Sequence, residues 1–381
     1  MESLDPLLEK RLAERRDKGL ERTLKIARPG LVDFTSNDYL GLSRSPELFE
    51  SILAHTSSPQ PNGSTGSRLL SGNSAAHEAL EKKLATIFKS ETTLLFAAGY
   101  NANLAVLSSL PQRGDTILYD ELAHASMKDG ARLSLAKRLN FKHNDLHDLE
   151  QKLKNAQGQI FIAVESIYSM DGDECPLREL TLLAEKHNAI IILDEAHSTG
   201  VMGHNGNGLA VSLGLQDKIG VRIYTFGKAM GIHGACVAGS KRLRNYLINF
   251  SRPFIYTTAI SHHSVATMAC AFDYLQQNMP LQTMLRERIM LYTKSVADLP
   301  NRTFSNSAIQ TVIFPGNEVV RQVALSLQQK GFDVRPILSP TVPTGTERLR
   351  ICLHVYNTEE EIARLTHELR TLALSGVMNN G

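Results

Sequence analysis

Lys228 stands in Ile223-Tyr-Thr-Phe-Gly-Lys-Ala-Met-Gly-Ile-His-Gly234, just past a short β-like run and among Gly227, Gly231 and Gly234. A lysine so placed loses water around its ammonium, which lowers its pKa. The neutral amine is the form that attacks an aldehyde to make an imine. The glycines let a flat, bulky ring approach the backbone. Taken alone, the same residues also describe a surface lysine in a Gly-rich turn. Thirty-four residues upstream, Asp194-Glu-Ala-His197 ends a second apolar run. Asp194 there serves as a helix cap with His197 packed beside it, as part of a nucleotide-hydrolase acidic motif, or as a partner of Lys228.

The nucleotide-hydrolase reading needs a phosphate loop of the form G-x-x-x-x-G-K-[ST]. Around Gly227-Lys228 the first glycine position is Arg222, and Ala229 stands where a metal-binding Ser or Thr is required. No G-x-G-x-x-G follows a strand either, which disfavours a nicotinamide or flavin site. Asp194 and Lys228 together fit better. A carboxylate at one strand end keeps a pyridine nitrogen protonated, while a lysine at a neighbouring end holds an aldehyde, and the two make a pyridoxal phosphate site.

Such a cofactor needs further parts, and other strand ends offer them. Ala97-Ala-Gly-Tyr-Asn101 ends a strand, turns at Gly99 and opens an apolar helix, so its backbone N–H groups suit a phosphate. Thr225 adds a hydroxyl three residues before Lys228. His124, in Tyr119-Asp-Glu-Leu-Ala-His124, offers a flat ring over the pyridine face, although a lone histidine there also reads as an ordinary loop residue. Glu165-Ser-Ile-Tyr-Ser-Met-Asp-Gly-Asp173 places Ser169 where it, with His197, could reach the ring hydroxyl. No metal-ligand spacing is present.

The elements that must position these groups follow from periodicity. Residues 1 to about 28 read as an amphipathic helix with leucines at 4, 8, 12, 20 and 24, and Val32–Leu42 as a short strand running into a turn. From about residue 75, helical and β-rich segments alternate. Strands are expected at Thr92–Ala97, Thr116–Tyr119, Arg138–Lys142, Ile160–Glu165, Ile190–Asp194, Ile223–Phe226 and Ala235–Ala238, mostly separated by helix-length segments. That pattern implies an α/β domain with a mostly parallel sheet covered on both faces, which binds ligands beyond the carboxyl ends of its strands. Strands at Gln310–Phe314, Phe332–Arg335 and Arg348–Leu353, with helices at Glu318–Lys330 and Thr358–Leu372, imply a smaller α+β domain. The expected division is 1–45 (N-terminal helix and short strand), 46–280 (large domain) and 281–381 (small C-terminal domain).

Composition excludes other classes. With 381 residues, 42% hydrophobic and 21% charged, the chain supports a large core. A formal charge of +2 with no basic block argues against a nucleic-acid or membrane-surface binder. The opening Met1-Glu-Ser-Leu-Asp has no signal-peptide pattern, and the apolar runs are too short to span a bilayer. Four scattered cysteines (Cys175, Cys236, Cys270, Cys352) fit a reducing cytoplasm.

Thr225–Gly234 resembles the lysine signature of the α-oxoamine synthases, pyridoxal phosphate enzymes of the aspartate-aminotransferase fold (fold type I). Ser36-Asn-Asp-Tyr-Leu-Gly-Leu42, Asp120-Glu-Leu-Ala-His-Ala-Ser126, Ser169-Met-Asp-Gly-Asp173, Asp194-Glu-Ala-His-Ser-Thr-Gly200 and Pro340-Thr-Val-Pro-Thr-Gly345, followed by Arg348-Leu-Arg350, agree in order and spacing. The match spans about residues 15 to 372. Members of the family condense a small amino acid with an acyl thioester and release carbon dioxide.

The resemblance implies that Lys228 forms the imine and then removes the α-proton, that Asp194 holds the pyridinium, and that His124 stacks on the ring. It places His197 and Ser169 on the ring hydroxyl, and Gly99, Tyr100 and Thr225 on the phosphate with Thr257 or Thr258 of a second subunit. The implied assembly is a homodimer with shared sites. Arg350 would fork onto the amino-acid carboxylate, with Asn37, Thr341 and Arg22 also near substrate. Asn62-Gly-Ser-Thr-Gly-Ser-Arg-Leu-Leu-Ser-Gly72 is most similar to members that join L-alanine to a pimeloyl group carried on coenzyme A or acyl carrier protein; glycine-using members differ there. One departure stands out. Several such members have an arginine two residues before Pro-Thr-Val-Pro, where this chain has Leu338, with Arg335 three residues earlier.

Overall fold

The computed structural model describes residues 4–24, 26, 29–57 and 61–374. Packing groups residues 1–31 and 32–381 as two compact units. In the first unit the helix covers Leu4–Asp17 alone, shorter than the expected run to about residue 28. Gly19, at φ +61°, ends it: Gly19 N–H donates to the Arg16 carbonyl and Leu20 N–H to the Arg15 carbonyl, a left-handed C-terminal cap. The helix leucines at 4, 8 and 12 are exposed rather than buried.

In the second unit the chain opens with a short strand, β1 (Val32–Asp33), then alternates helix and strand through β2 (Thr92–Phe96), β3 (Thr116–Asp120), β4 (Lys137–Phe141), β5 (Ile160–Glu165), β6 (Ile190–Asp194), β7 (Val221–Thr225) and β8 (Ala235–Gly239). Strands β2 to β8 form one sheet in the order β2-β8-β7-β6-β5-β3-β4. All its pairings are parallel except those of β8, which runs antiparallel to both β2 and β7. The central strands are mostly apolar, and every residue of β5 is buried, as a sheet covered on both faces requires. The reversal of β8 has a simple cause. Only nine residues, 226–234, join β7 to β8, too few for a parallel crossover.

Register aligns the carboxyl ends that matter. Glu165 sits opposite Asp194, and Asp194 opposite Ile223, two residues before Thr225. The chain leaves β3 to one side and β5 grows the sheet to the other, so the loops after β3 and β5 flank a topological switch point.

Beyond residue 280 lie β9 (Ile309–Ile313), β10 (Phe332–Asp333), β11 (Arg335–Ile337) and β12 (Arg348–Cys352). Strand β12 pairs antiparallel with β9 and β11, while β10 pairs parallel with β1. The strand expected over Phe332–Arg335 is therefore two pieces, because the chain changes sheets at Val334. The segment after β1 is stitched to the same region: Cys352 N–H donates to the Phe34 carbonyl at 2.8 Å and Val355 N–H to the Tyr39 carbonyl at 3.0 Å.

Arg222, which disqualified the phosphate loop, is buried on β7. It donates to the Phe88 carbonyl at 2.6 Å and the Lys89 carbonyl at 3.2 Å, satisfying the end of helix Ala75–Ile87. Among the described residues no helix is long and apolar enough to cross a membrane, and no cluster of three or more His, Cys, Asp or Glu could hold a metal ion.

Candidate active site

Beyond the carboxyl ends of β2, β3, β5, β6 and β7 lies a cavity of about 280 Å³ lined by, among others, Asn37, Gly99, Tyr100, Asn103, His124, Glu165, Asp194, Thr225 and Lys228. Each side chain is held by the element that ends there. Lys228 occupies the β7–β8 connection, which Phe226 N–H to Gly234 O (2.9 Å) and Ile232 N–H to Phe226 O (3.0 Å) close into a tight turn. Gly227 and Gly234 open onto the cavity. Gly231, at φ +64°, does not: a Cβ there would meet the Ser43 backbone nitrogen at 2.3 Å, so its bareness serves chain packing and not ring approach.

Lys228 Nζ lies 2.6 Å from His197 Nε2. His197 Nδ1 lies 2.8 Å from the Tyr39 hydroxyl, which donates to Asn37 Oδ1 at 3.1 Å. Arg350 Nη2 donates to the same Asn37 oxygen at 2.8 Å, and its Nε donates to the Ser169 carbonyl at 2.6 Å. Asn37 Oδ1 only accepts, so the single Tyr39 proton points to it. Tyr39 then accepts from His197 Nδ1–H, and His197 Nε2 accepts from Lys228. Burial, with the nearby Lys228 charge, holds His197 well below its ordinary pKa, so it is neutral as this chain requires. Burial likewise pushes the Lys228 amine down to about 8, against the opposing pull of Asp194 and Glu165.

Asp194 is fixed by two donors, Ala196 N–H at 2.9 Å and Asn103 Nδ2 at 2.7 Å. Asn103 also donates to Ser126 Oγ at 2.9 Å. His124 Nδ1 accepts from Ser126 N–H at 3.2 Å and faces Ser126 Oγ at 2.7 Å, which places its remaining proton on Nε2. Burial lowers the His124 pKa, favouring a neutral ring suited to stacking. Its own backbone N–H donates to Glu165 Oε1 at 2.6 Å, and burial pushes Glu165 up to about 8.

The residues fit pyridoxal phosphate. Thr225 Oγ1 is buried without a hydrogen-bond partner among the described residues. Helix Gly99–Ser109 begins at the cavity lining after Ala98, which offers its first N–H groups no side-chain cap, the arrangement that suits a phosphate. A Cβ at Gly99 would come within 2.3 Å of Thr225 Cγ2, so only glycine leaves this cradle open.

The other expected residues are placed as follows. His197 and Arg350 stand behind the cavity wall, touching Lys228 and Asn37. Ser169 meets Arg350 through its carbonyl, and its side chain is not part of the lining. Thr257 and Thr258, after helix Arg252–Ile255, do not line the cavity of their own chain, and neither does Thr341, which is exposed. Arg22 is an exposed residue of the first unit. Leu338 packs against the hydrophobic core, and Arg335 pairs with Asp333 at 2.8 Å. Sequence reasoning assigned no role to Asn103, Ser126, Tyr39 or Glu165. A signal existed for one of them: Glu165 is a carboxylate closing a fully buried, otherwise apolar strand.

Fold and cradle together define a pyridoxal phosphate enzyme of the aspartate-aminotransferase type. The chain belongs to the aminotransferase class I and II family, whose pattern matches residues 29–369. The 8-amino-7-oxononanoate synthase of Emericella nidulans is 40% identical across 96% of this chain and 94% of its own length. A serine palmitoyltransferase of S. paucimobilis, solved with a pyridoxal phosphate–myriocin adduct, superposes with a TM-score of 0.87 at 25% identity, covering 97% of each chain. The 8-amino-7-oxononanoate synthase of Francisella tularensis superposes with a TM-score of 0.79 at 27% identity, over 91% of this chain and 98% of that one. The chain is thus a pyridoxal phosphate-dependent acyltransferase of the α-oxoamine synthase group.

Proposed function

We propose that this enzyme condenses L-alanine with a pimeloyl thioester to give 8-amino-7-oxononanoate, a step toward biotin. A carbon–carbon bond forms between the alanine α-carbon and the thioester carbonyl; the thiol leaves, and the alanine carboxylate departs as carbon dioxide. Pyridoxal phosphate, when bound, supplies the aldehyde that captures the amino group and the ring that takes up the electron pair of the broken α-bond. Lys228 Nζ carries the α-proton, with His197 holding the amine in line. Asp194, tied down by Asn103, holds the ring nitrogen; Gly99, Tyr100 and Thr225 take the phosphate; His124 stacks. Arg350, paired with Asn37, orients the substrate carboxylate. Thr257 or Thr258 of a second subunit completes the phosphate site in a homodimer.

The observation that carries this reading is the convergence of Lys228, Asp194, His124, Thr225 and Gly99 on one cavity. The relatives named as 8-amino-7-oxononanoate synthases support the choice of substrates. The likeness to serine palmitoyltransferase favours one second reading, a synthase of the same family that uses serine or glycine with another acyl-CoA. Turnover with L-alanine, glycine and L-serine, each against pimeloyl-CoA and pimeloyl-acyl carrier protein and followed by mass spectrometry, separates them. Preference for glycine or serine overturns the first reading.

A further inference from the structure

His143, just past β4, bridges the carboxyl end of β3 and the loop after β5. Its Nδ1 lies 2.9 Å from Asp120 Oδ1, and its Nε2 lies 2.7 Å from Asp173 Oδ2. Each ring nitrogen faces a carboxylate, so satisfying both contacts requires a proton on both, and the ring is an imidazolium. Neighbours reinforce each side. Asp120 also accepts from Leu122 N–H (2.8 Å) and Asn144 N–H (2.9 Å), and Asp173 accepts from Asn144 Nδ2 (2.7 Å). The Tyr168 ring packs edge-on against the imidazole, with centroids 4.4 Å apart. The backbone N–H of His143 donates to Glu121 at 3.2 Å.

The two bridged loops carry different halves of the site. The loop from Asp120 leads in four residues to His124, whose ring faces the cavity. The loop ending at Asp173 presents the Ser169 carbonyl to Arg350 and Asp171 to Arg348. We infer that His143 is a positioning residue whose bridge between Asp120 and Asp173 fixes the spacing between the ring-stacking His124 and the carboxylate-binding Arg350. This rests on the reading that Arg350 takes the amino-acid carboxylate. Burial of the imidazole opposes its charge, yet the hydrogen bonds to both aspartates outweigh that and raise it to about 10, so the bridge stays intact through neutral pH.

The test uses the enzyme loaded with pyridoxal phosphate. His143→Gln and Asp173→Asn are compared with wild type by titrating L-alanine and glycine against the cofactor absorption band. Cofactor affinity is measured separately, and Arg350→Lys is run in parallel. The expected result is unchanged cofactor affinity with amino-acid Kd raised on the order of tenfold in both variants, the size of one lost charge-assisted hydrogen bond. The double variant should be no worse than either single one, because they break the same bridge. Wild-type amino-acid affinity in folded His143→Gln, with Arg350→Lys impaired, overturns the inference and leaves the Arg350 assignment standing. If Arg350→Lys binds amino acid normally, the Arg350 assignment itself fails. Should His143→Gln not fold, Asp173→Asn, on a partly exposed residue, decides alone: normal affinity there overturns the inference.

Discussion

Lys228 Nζ and His197 Nε2 meet at 2.6 Å, and the histidine is the acceptor. The contact belongs to a directed series from Lys228 through His197 and Tyr39 to Asn37, where it meets Arg350 arriving from the other side. The amine proposed to handle the proton and the guanidinium proposed to hold the carboxylate thus share one hydrogen-bonded frame.

Replacing Lys228 by alanine removes the only amine among the described residues that line the cavity. Turnover should fall by roughly a thousandfold or more, and the visible band of the lysine-bound cofactor should vanish while far-UV circular dichroism stays unchanged. A Lys228→Ala protein that keeps both band and activity would exclude the assignment.

Arg350→Lys keeps the charge but loses the fork that spans Asn37 and the Ser169 carbonyl. The amino-acid KM should rise by about tenfold to a hundredfold, with the cofactor spectrum intact. Steady-state kinetics with varied amino acid and saturating thioester measures this, and an effect confined to the thioester KM would move Arg350 to the other substrate.

At Gly99 the limit is steric. Gly99→Ala drives a methyl into Thr225 Cγ2, and overpacking of this kind costs about 1–3 kcal/mol, so cofactor affinity should drop by roughly tenfold. Thr225→Ser deletes that methyl and keeps the hydroxyl. In the double variant, part of the lost affinity should return, as read by fluorescence titration of the apoprotein. No recovery would mean that the turn itself, not the clash, is damaged.

Stability should report the His143 charge with a definite sign. Its folded pKa of about 10 lies above the ordinary 6.5, so its contribution is full below pH 6.5 and is lost as pH rises toward 10. The difference in unfolding free energy between wild type and His143→Gln, from urea melts, should shrink steadily across that window. A difference that is flat from pH 6.5 to 10 contradicts a charged bridge.

Much of this was legible in the sequence for a physical reason. Ile160–Glu165 and Ile190–Asp194 are apolar runs closed by an acid, and a buried parallel strand shows its boundaries that way. Lys228 and Asp194 were found because charged groups at such ends are costly unless used. The antiparallel course of β8 was less visible, since strand direction lies in the length of a connection and not in the strand's own residues. Partners that act through tertiary contact also escaped: Asn103 meets Asp194 across 91 positions and Tyr39 meets His197 across 158, separations no local pattern encodes. Motif position marks the Ser169 loop but does not encode that its carbonyl accepts from Arg350. The leucine spacing continues past Gly19, but the left-handed backbone there ends the first helix.

The reversed strand has a kinetic meaning. Because β7 and β8 are hydrogen-bonded to each other, the turn carrying Lys228 behaves as a stiff bracket riveted to the sheet, and its ordering entropy is lost during folding, before any ligand arrives. The Lys228 amine is therefore preorganised before any cofactor binds. The amide hydrogens of Phe226 and Ile232 should exchange with solvent as slowly as those of the central strands, whether or not the cofactor is present.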